Sequence, residues 1–352
     1  MPDALGDETD AFRQSLLGWY DRSARSLPWR GEGRTPYRVF VSEFMLQQTQ
    51  VKTVIPYFER FVAELPTVQA LAEADEQTVL RLWQGLGYYS RGRNLHKAAR
   101  LIVSEHGGEV PRTVDELLKL PGVGRYTAGA IASIAYNTVA PILDGNVMRV
   151  LCRIEKIEAD PRQPAVQKEL WKLAEATVDP DRPGDFNSAM MELGATVCIP
   201  KTPQCLICPV AEYCAAKSAG VQDRIPPPKV AKATPLSERD LYRIRDDRGR
   251  LLVEQRPATG RWANLWQFIT AKQGEPPPLK TTPPVEVGIV RHGLTHRRYV
   301  FRVFDCEAAE PHQGVWVTPD ELDAYPMSKP QLAAAKMPRK ADARRTTSDQ
   351  RQ

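Results

Sequence analysis

The sequence predicts a protein of two domains, an all-helical domain followed by a smaller α+β domain. From residue 8 to about residue 215, apolar residues recur at intervals of three and four, the spacing of amphipathic helices. The proline-rich stretch "RIPPPKVAKATP" then ends this pattern, because it cannot continue a helix. Beyond it, runs rich in β-branched and aromatic residues flank turn sequences, which indicates strands. At 352 residues the chain has room for two separate cores.

The helical half divides into segments that each carry an apolar stripe. Many of these segments follow Thr, Asp or Pro and end near Gly, as helix termini prefer. In order they are "AFRQSLLGWY", "TVLRLWQGL", "NLHKAARLIVSEH", "VDELLKL" and "VQKELWKLAEATV". We therefore predict a helical domain over 1–222 and a proline-rich linker over 223–235.

The C-terminal half reads as a sheet with a short helix. The runs "LYRI" and "LLVEQR" flank the turn "RDDRG" and predict a hairpin, and "RRYVFRVFDCE" and "GVWV" add strands. The segment "TPDELDAY" predicts a short capped helix. We place this domain over 236–330 and expect a basic, disordered tail over 331–352.

The net charge of +5 says little about partners, because residues 336–352 carry +4 of it and the rest only about +1. A solvated tail explains such a run, so any case for DNA must come from motifs. The acidic, polar start lacks the features of a signal peptide, and no apolar run is long enough to span a membrane. We expect a cytoplasmic, nucleoid-associated monomer with no membrane partner. In that compartment clustered thiols bind metal more often than they form disulfides.

Four of the six cysteines occupy one short stretch with the spacing Cys-x6-Cys-x2-Cys-x5-Cys. This stretch is a closed set of soft ligands, suited to zinc or to an iron–sulfur cluster. Zinc sites usually pair two short Cys knuckles, whereas only one occurs here, and spacing alone leaves both metals open. The other two thiols read as small buried hydrophobes. The clustered residues are Cys198, Cys205, Cys208 and Cys214.

A second signal lies in "LPGVGRYTAGAIA", a tight turn between two predicted helices. The backbone of Gly122, Val123 and Gly124 can present N–H groups at a helix start, which is a phosphate cradle, although most such turns are plain connectors. The segment "PILDGNVMRVLCR" follows, where Asp144 and Asn146 flank a glycine before the next helix.

The hairpin, the Pro-x-x-Asp stretch and the four-Cys loop together resemble the helix-hairpin-helix DNA glycosylases that carry a [4Fe–4S] cluster. The resemblance covers about residues 25–215. It implies that the four cysteines bind such a cluster, and it makes zinc a minor alternative. It also implies that Lys201, within "CIPKTPQC", helps to hold the DNA backbone.

One position separates two branches of that family. The branch that cuts the DNA strand carries Lys in "LPGVGRKTA", where this chain has Tyr126, and a tyrosine cannot form an imine with the sugar. The segments "SEFMLQQTQV", "LGYYSRGRNL" and "LPWR" resemble the MutY-type adenine DNA glycosylases. That resemblance implies a monofunctional enzyme that removes adenine paired with 8-oxoguanine or guanine in double-stranded DNA.

The chemistry implies roles for the polar residues. Release of adenine requires protonation of the departing base while positive charge develops on the sugar. We predict Glu43 as the general acid, since its apolar neighbours should raise its pKa. We predict that Asp144, at a helix start, stays ionised and stabilises the oxocarbenium-like state. Tyr126 and Asn146 should orient the carboxylate or the intermediate.

The target adenine must leave the base stack to be cleaved. Trp29 and Arg30 are candidates for the wall of its pocket. Ser188 departs from the family, because relatives carry a longer Gln or Glu there that faces the adenine, and we expect a water-mediated contact or none. The resemblance also implies side chains that insert into the duplex and contact the orphaned base. They are Gln48, Thr49, Leu86 and Tyr88.

The C-terminal domain resembles the Nudix-like domain of the same family. Residues 230–330 lack the Glu-rich helix of a catalytic Nudix domain, so we predict a reader of the lesion and not a hydrolase. Thr295 and His296 match the aromatic-Ser-His loop of the family, with Leu294 in place of the aromatic residue. A plain hairpin turn is the alternative.

Three other functions remain as alternatives. The first is an endonuclease III-like pyrimidine glycosylase and lyase on the same fold, against which Tyr126 argues. The second is a non-catalytic iron–sulfur protein that binds DNA and senses redox state, against which the pair Glu43 and Asp144 argues. The third is a nucleotide hydrolase, which the missing Glu-rich helix contradicts.

Overall fold

The computed structural model describes residues 6–228 and 233–339. The chain divides into two compact units, and each contains two separate stretches of sequence. Among the described residues, the first unit comprises 6–73 and 94–228, and the second comprises 74–93 and 233–339.

Helices account for most of the chain before the linker. None of the helices in the described ranges has the length and apolarity needed to cross a membrane. In chain order they are α1 (Thr9–Ser23), α2 (Pro36–Leu46), α3 (Val51–Glu64), α4 (Val68–Glu73), α5 (Glu76–Trp83), α6 (Tyr89–Glu105), α7 (Val114–Leu117), α8 (Arg125–Tyr136), α9 (Gly145–Ile154), α10 (Pro164–Thr177), α11 (Pro183–Thr196) and α12 (Ala215–Ser218).

Side chains with short polar groups fix where several of these helices begin. The Thr35 side chain accepts from the N–H of Arg38 at the start of α2, and Asp75 accepts from the N–H of Thr78 at the start of α5. Such caps satisfy backbone donors that have no partner inside the helix. The helical segments predicted from apolar periodicity are confirmed.

The turn between α7 and α8 requires glycine. Gly122 has a φ of +81°, and a Cβ at this position would lie 2.7 Å from the Cβ of Asn94. A side chain is therefore excluded both by backbone conformation and by space. Gly124 precedes the first residue of α8, and the helix ends at Asn137 in the left-handed conformation. The predicted helix–turn–helix is confirmed.

Helix α11 packs against α8 and α9 at the centre of the first unit. Its glycine Gly194 lies so close to α9 that an added Cβ would be 2.6 Å from the Cβ of Asn146. This close approach brings the start of α9 and the polar side of α11 to the same part of the unit. Phe12, Val147 and Phe186 belong to the apolar core that holds these helices together.

The second unit is built on one mixed sheet in the order β4-β5-β1-β3-β2-β6. Strands β1 and β5 pair in parallel, and the other pairs are antiparallel. Its elements are β1 (Leu236–Arg245), β2 (Leu251–Gln255), β3 (Trp266–Lys272), β4 (Val285–Leu294), β5 (Arg297–Glu307), β6 (Val315–Val317) and α13 (Lys329–Ala335). The predicted hairpin is β1 and β2, and the two further predicted strands are β5 and β6.

The predicted short capped helix is a 3₁₀-helix, Pro319–Ala324, with the capping box of Thr318 and Glu321. Apolar residues cover both faces of the sheet. One face packs Leu241, Phe268 and Val303 with Ala334 of α13.

The structure differs from the predicted domain organisation in two places. Residues 74–93, predicted within the helical domain, cluster with the second unit. The predicted disordered tail from residue 331 is wrong at its start, because α13 extends to Ala335 and its Ala334 is fully buried in the core of the second unit. The rest of the predicted tail, from residue 340, lies outside the described residues.

Candidate active site

A cavity of about 1380 Å³ opens in the first unit. Its walls come from the end of α1 and the loop after it, from α2 and the loop that follows, and from the starts of α8 and α9 and the polar side of α11. Most of the predicted catalytic and substrate-binding residues of this unit line it. They are Glu43, Tyr126, Asp144, Asn146, Trp29, Arg30, Gln48, Thr49 and Ser188.

Glu43 is a buried carboxyl group on α2, only 3% exposed. Its pKa is raised to about 7, chiefly by burial and in smaller part by the nearby charge of Asp144, although a hydrogen bond from Tyr126 acts in the opposite direction. The Tyr126 hydroxyl donates to Oε2 of Glu43 over 3.1 Å. The carboxyl group thus holds a proton near neutral pH, as the apolar sequence around it predicts.

Tyr126 is a neutral donor in this site. Burial raises the pKa of Tyr126 well above its ordinary value, and the charges of Glu43 and Asp144 add to this effect. The phenol therefore keeps its proton and can donate a hydrogen bond to a carboxylate. Its oxygen also lies 3.3 Å from the sulfur of Met191.

Asp144 caps the start of α9. Its Oδ1 accepts from the backbone N–H of Asn146 over 2.9 Å and from that of Val147 over 2.7 Å, and its Oδ2 accepts from Nδ2 of Asn146. These donors and the helix N-terminus favour the ionised form. Burial has the opposite and larger effect, so the pKa of Asp144 lies above the usual aspartate value. The prediction of an ionised Asp144 therefore depends on the donors that surround it.

A chain of hydrogen bonds leads from Asn146 to the cysteine loop. Nη2 of Arg149 donates to Oδ1 of Asn146 over 2.9 Å, and Nε of the same guanidinium donates to the carbonyl oxygen of Cys198 over 2.8 Å. This connection between Asn146, Arg149 and Cys198 could not be predicted from the sequence.

Glu192 is a site residue that sequence reasoning missed. It is 1% exposed and accepts from the guanidinium groups of Arg25 and Arg30. Burial raises its pKa, but the two arginines outweigh burial, so the pKa lies below its usual value. Arg30 also lies over the ring of Tyr20 at 5.5 Å. No local pattern links residues that are more than 160 positions apart.

The predicted wall residues are firmly held. Trp29 is 6% exposed and packs edge-on against Phe58, with ring centres 5.2 Å apart. Ser188 is buried and shares a side-chain hydrogen bond with Tyr20. Its hydroxyl therefore already has a partner within the wall of the cavity.

The loop after α2 carries Gln48 in the left-handed conformation, with a φ of +57°. This conformation is uncommon for residues other than glycine and often occurs at functional sites. Gln48 is exposed and lies beside Thr49 at the rim of the cavity.

In the second unit, Tyr88 and Thr295 form one contact. Their hydroxyl oxygens lie 2.6 Å apart. Tyr88 is 44% exposed with a φ of +48°, and the guanidinium of Arg91 lies 5.2 Å from its ring centre. Thr295 and the exposed His296 form the turn between β4 and β5. Leu86, in contrast, is only 6% exposed, and its insertion into DNA stays a prediction.

The four clustered cysteines line one small cavity in the first unit. Nη1 of Arg153 donates to the sulfur of Cys198 over 3.1 Å, and burial raises the pKa of Cys208 to about 12. Among the described residues, no three His, Cys, Asp or Glu side chains converge as ligands of a single metal ion. Four thiols around one cavity with a charged N–H donor beside them are a donor set that fits a cluster.

The predicted contacts to the DNA backbone lie at the surface of the first unit. Lys201 is exposed on the cysteine loop. Gly122 and Gly124 are exposed at the start of α8, while the side chain of Val123 is buried. The backbone of this turn is therefore accessible, and its apolar side chain anchors it.

Two protein families match this chain, one in its helical part and one in its sheet-containing part. Residues 41–176 match the family described as "HhH-GPD superfamily base excision DNA repair protein". Residues 241–337 match the family described as "NUDIX domain".

Among curated proteins, the adenine DNA glycosylase of Rattus norvegicus is 41% identical, with 84% of this chain and 70% of the rat protein aligned. The adenine DNA glycosylase of Homo sapiens is 39% identical over 91% of this chain and 72% of the human protein.

Two solved structures resemble the first part of the chain. A thermostable thymine-DNA glycosylase is 26% identical with a TM-score of 0.55, and the match covers 61% of this chain and 99% of that one. An endonuclease III bound non-covalently to DNA is 23% identical with a TM-score of 0.51, and the match covers 61% of this chain and 98% of that one. The second likeness concerns the fold alone.

Proposed function

Because this chain belongs to the family of the adenine DNA glycosylases, we propose that the cavity of its first unit receives an adenine flipped out of duplex DNA. The protein is a DNA glycosylase of base excision repair, a hydrolase of N-glycosyl bonds. The observation that carries the proposal is Glu43, a buried carboxyl group with a pKa of about 7, in the same cavity as Asp144.

Glu43 acts as the general acid. A pKa near the working pH lets it keep a proton and still give it up readily. It protonates a ring nitrogen of adenine while the bond from the base to the anomeric carbon breaks, and the electron pair of that bond goes to the base. The hydrogen bond from Tyr126 then stabilises the carboxylate that the transfer leaves behind.

Asp144 faces the sugar. Loss of the base leaves positive charge on the sugar ring, and a carboxylate near the anomeric carbon stabilises it. Asn146 fixes the carboxylate through both its N–H groups, and Arg149 fixes Asn146 in turn. Water then adds to the anomeric carbon and loses its proton, which completes the hydrolysis.

The enzyme releases the base without cutting the strand. Tyr126 stands where strand-cutting relatives have the lysine that forms an imine, and a phenol has no amine for that reaction. Within the wall, Trp29 supplies an apolar face for the flipped base, and Arg30, held by Glu192, supplies fixed donors.

The cysteine loop binds a [4Fe–4S] cluster. Cys198, Cys205, Cys208 and Cys214 are its ligands, and the Arg153 N–H group supports the first of them. When bound, the cluster ties the four thiols together and so fixes the loop. Lys201, exposed on this loop, contacts phosphate together with the backbone N–H groups of the turn at Gly122–Gly124.

The second unit reads the base opposite the adenine. Adenine is a normal base, so its removal must depend on the partner, 8-oxoguanine or guanine. The hydroxyl of Thr295 can both donate and accept, and His296 adds a second polar group at the same turn. Residues 236–330 form the core of this reader, and 223–235 connect it to the catalytic domain.

The test uses three duplexes that carry adenine opposite 8-oxoguanine, guanine or thymine. We expect adenine release under single-turnover conditions from the first two and none from the third. The strand should stay intact until alkali is added. Release of a pyrimidine, or strand cleavage without alkali, would favour the lyase alternative.

A further inference from the structure

Helix α5 is attached to the sheet of the second unit through the side chain of Gln77. Its Nε2 donates to the carbonyl oxygen of Asn264 over 3.1 Å, and its Oε1 accepts from Nε1 of Trp266 over 3.1 Å. Both ends of the amide therefore have partners: Asn264, two residues before β3, and Trp266, the first residue of β3. Glu76, next to Gln77, accepts from Nδ2 of Asn264.

A second set of hydrogen bonds attaches the residues after α5. The Oε1 of Gln84 accepts from the N–H of Met327 over 2.7 Å, and the hydroxyl of Tyr89 donates to the carbonyl oxygen of the same residue over 3.1 Å. Nη1 of Arg93 donates to the carbonyl oxygen of Ala263 over 2.9 Å. These bonds lie on both sides of Tyr88 in sequence.

The segment between these attachments has an unusual backbone. Gly85, Gly87 and Tyr88 all have positive φ values. For Tyr88, a residue with a full side chain, this conformation is strained and persists only where the surroundings enforce it. The attached flanks and the guanidinium of Arg91 beside the ring supply that constraint.

We propose that residues 74–93 act as part of the unit that reads the partner base, and that Gln77 is a positioning residue that holds Tyr88 against Thr295. This inference rests on the proposed function of the second unit. The contact between the hydroxyl groups of Tyr88 and Thr295 spans 2.6 Å, so a small shift of the Tyr88 loop breaks it.

The test is Gln77→Leu in the full-length protein, with Gln273→Leu as the matched control. Gln273 is an exposed glutamine in the turn after β3, so the control makes the same chemical change in the same unit. The readout is the ratio of single-turnover rates for adenine opposite 8-oxoguanine and opposite guanine. We expect Gln77→Leu to lower this ratio by about fivefold, the effect of a lost hydrogen bond, and the control to leave it unchanged.

A double-mutant cycle with Tyr88→Phe separates positioning from general destabilisation. If Gln77 acts through the Tyr88 hydroxyl, the double variant should lose no more of the ratio than Tyr88→Phe alone. Additive losses, an unchanged ratio in Gln77→Leu, or an equal loss on both duplexes would overturn the inference. If thermal melting shows that Gln77→Leu does not fold, Gln84→Leu takes its place with the same criteria. Failure of the unmodified protein to release adenine would refute the proposed function instead.

Discussion

The chemistry that we propose for the site depends on a carboxyl group, that of Glu43, which keeps its proton because it is buried. Phe40, Phe44 and Met45 on the same helix as Glu43 are fully buried, so the charged form has little solvation there. The hydrogen bond from Tyr126 favours the charged form, but its effect on the pKa is smaller than that of burial. Both the reactivity of Glu43 and its cost to stability follow from this balance.

We expect Glu43→Gln to abolish adenine release and to leave duplex binding largely intact. The amide keeps the shape of the side chain but cannot supply the proton. The measurement is single-turnover release together with the dissociation constant for the 8-oxoguanine duplex. Substantial turnover by the folded variant would remove Glu43 from the role of acid.

The same variant should differ from the parent in how its stability depends on pH. The folded-state pKa of Glu43 is raised from 4.5 to about 7, so its contribution to stability is fully present below pH 4.5 and is lost as the pH rises through 7. Relative to Glu43→Gln, the parent should lose about 3 kcal/mol of unfolding free energy between pH 4.5 and pH 8. Urea unfolding at both pH values checks this, and an equal pH dependence would contradict a buried, protonated Glu43.

The pH profile of the reaction gives a separate test. Release should fall about tenfold per pH unit above pH 7, because the acid loses its proton there. Tyr126→Phe removes the hydrogen bond that lowers the pKa of Glu43, so the falling limb should move to higher pH even if the maximal rate drops. A midpoint that stays in place would show that the two groups are not coupled.

The sequence predicted the site residues that have a local signal, but not those that only the folding of the chain brings into the site. The apolar run around Glu43 and the helix start after Asp144 can be seen in the sequence, and both residues line the cavity. Glu192 could not be found in this way, because its partners lie 162 and 167 residues away and only the packing of α11 brings them together. The burial of Leu86 also could not be predicted, because its position in a motif says nothing about how much of its side chain is exposed.

Among the elements, the cysteine loop contains little regular structure and is organised by its ligands. Apart from the 3₁₀-helix Cys205–Ile207, the stretch from Cys198 to Cys214 consists of turns and irregular backbone, and Leu206 is fully exposed. So short an irregular stretch buries little apolar surface of its own, and its order should depend on the bound cluster.

We expect about four iron atoms per chain in protein prepared without oxygen, and yellow-brown absorption. Cys205→Ser should lower the affinity for duplex DNA, because it loosens the loop that carries Lys201. Lys201→Ala is the matched control: it should lower the affinity and reduce the salt dependence by about one phosphate contact, yet retain the iron. Stoichiometric zinc without iron, or normal DNA binding by Cys205→Ser, would contradict this account.

Periodicity predicted most elements of the fold because each has a strong local signal. Residues close together in the sequence determine the caps of α2 and α5 and the turn at Gly122. The association of α5 with the sheet has no such signal, since the glutamines that make it are ordinary on the surface of a helix. Helix α13 also lacks a strong local signal, because its run of alanines carries no apolar stripe. Its residues from 331 onward were therefore predicted as part of a disordered tail.

At the scale of the whole molecule, the proposed function assigns discrimination between partner bases and catalysis to different units. Truncation near Pro228 should leave measurable release of adenine opposite guanine and sharply reduce the preference for adenine opposite 8-oxoguanine. Thr295→Ala in the full chain should act in the same direction by about 1–3 kcal/mol, the size of one good base contact. An unchanged ratio of rates and affinities in the truncated protein would show that the second unit does not read the partner.

The discontinuity of the second unit also has a consequence during synthesis. Gln77 finds its partner 187 residues later in the chain, and Gln84 finds its partner 243 residues later. At about 5–20 residues per second, α5 leaves the ribosome roughly 10–40 seconds before the strand to which it binds. Over that interval the side chains of Gln77 and Gln84 have no access to these partners, because the partner residues have not yet been made. In a nascent chain of this protein, the hydrogen bonds that attach α5 to the sheet can therefore form only after β3 has emerged.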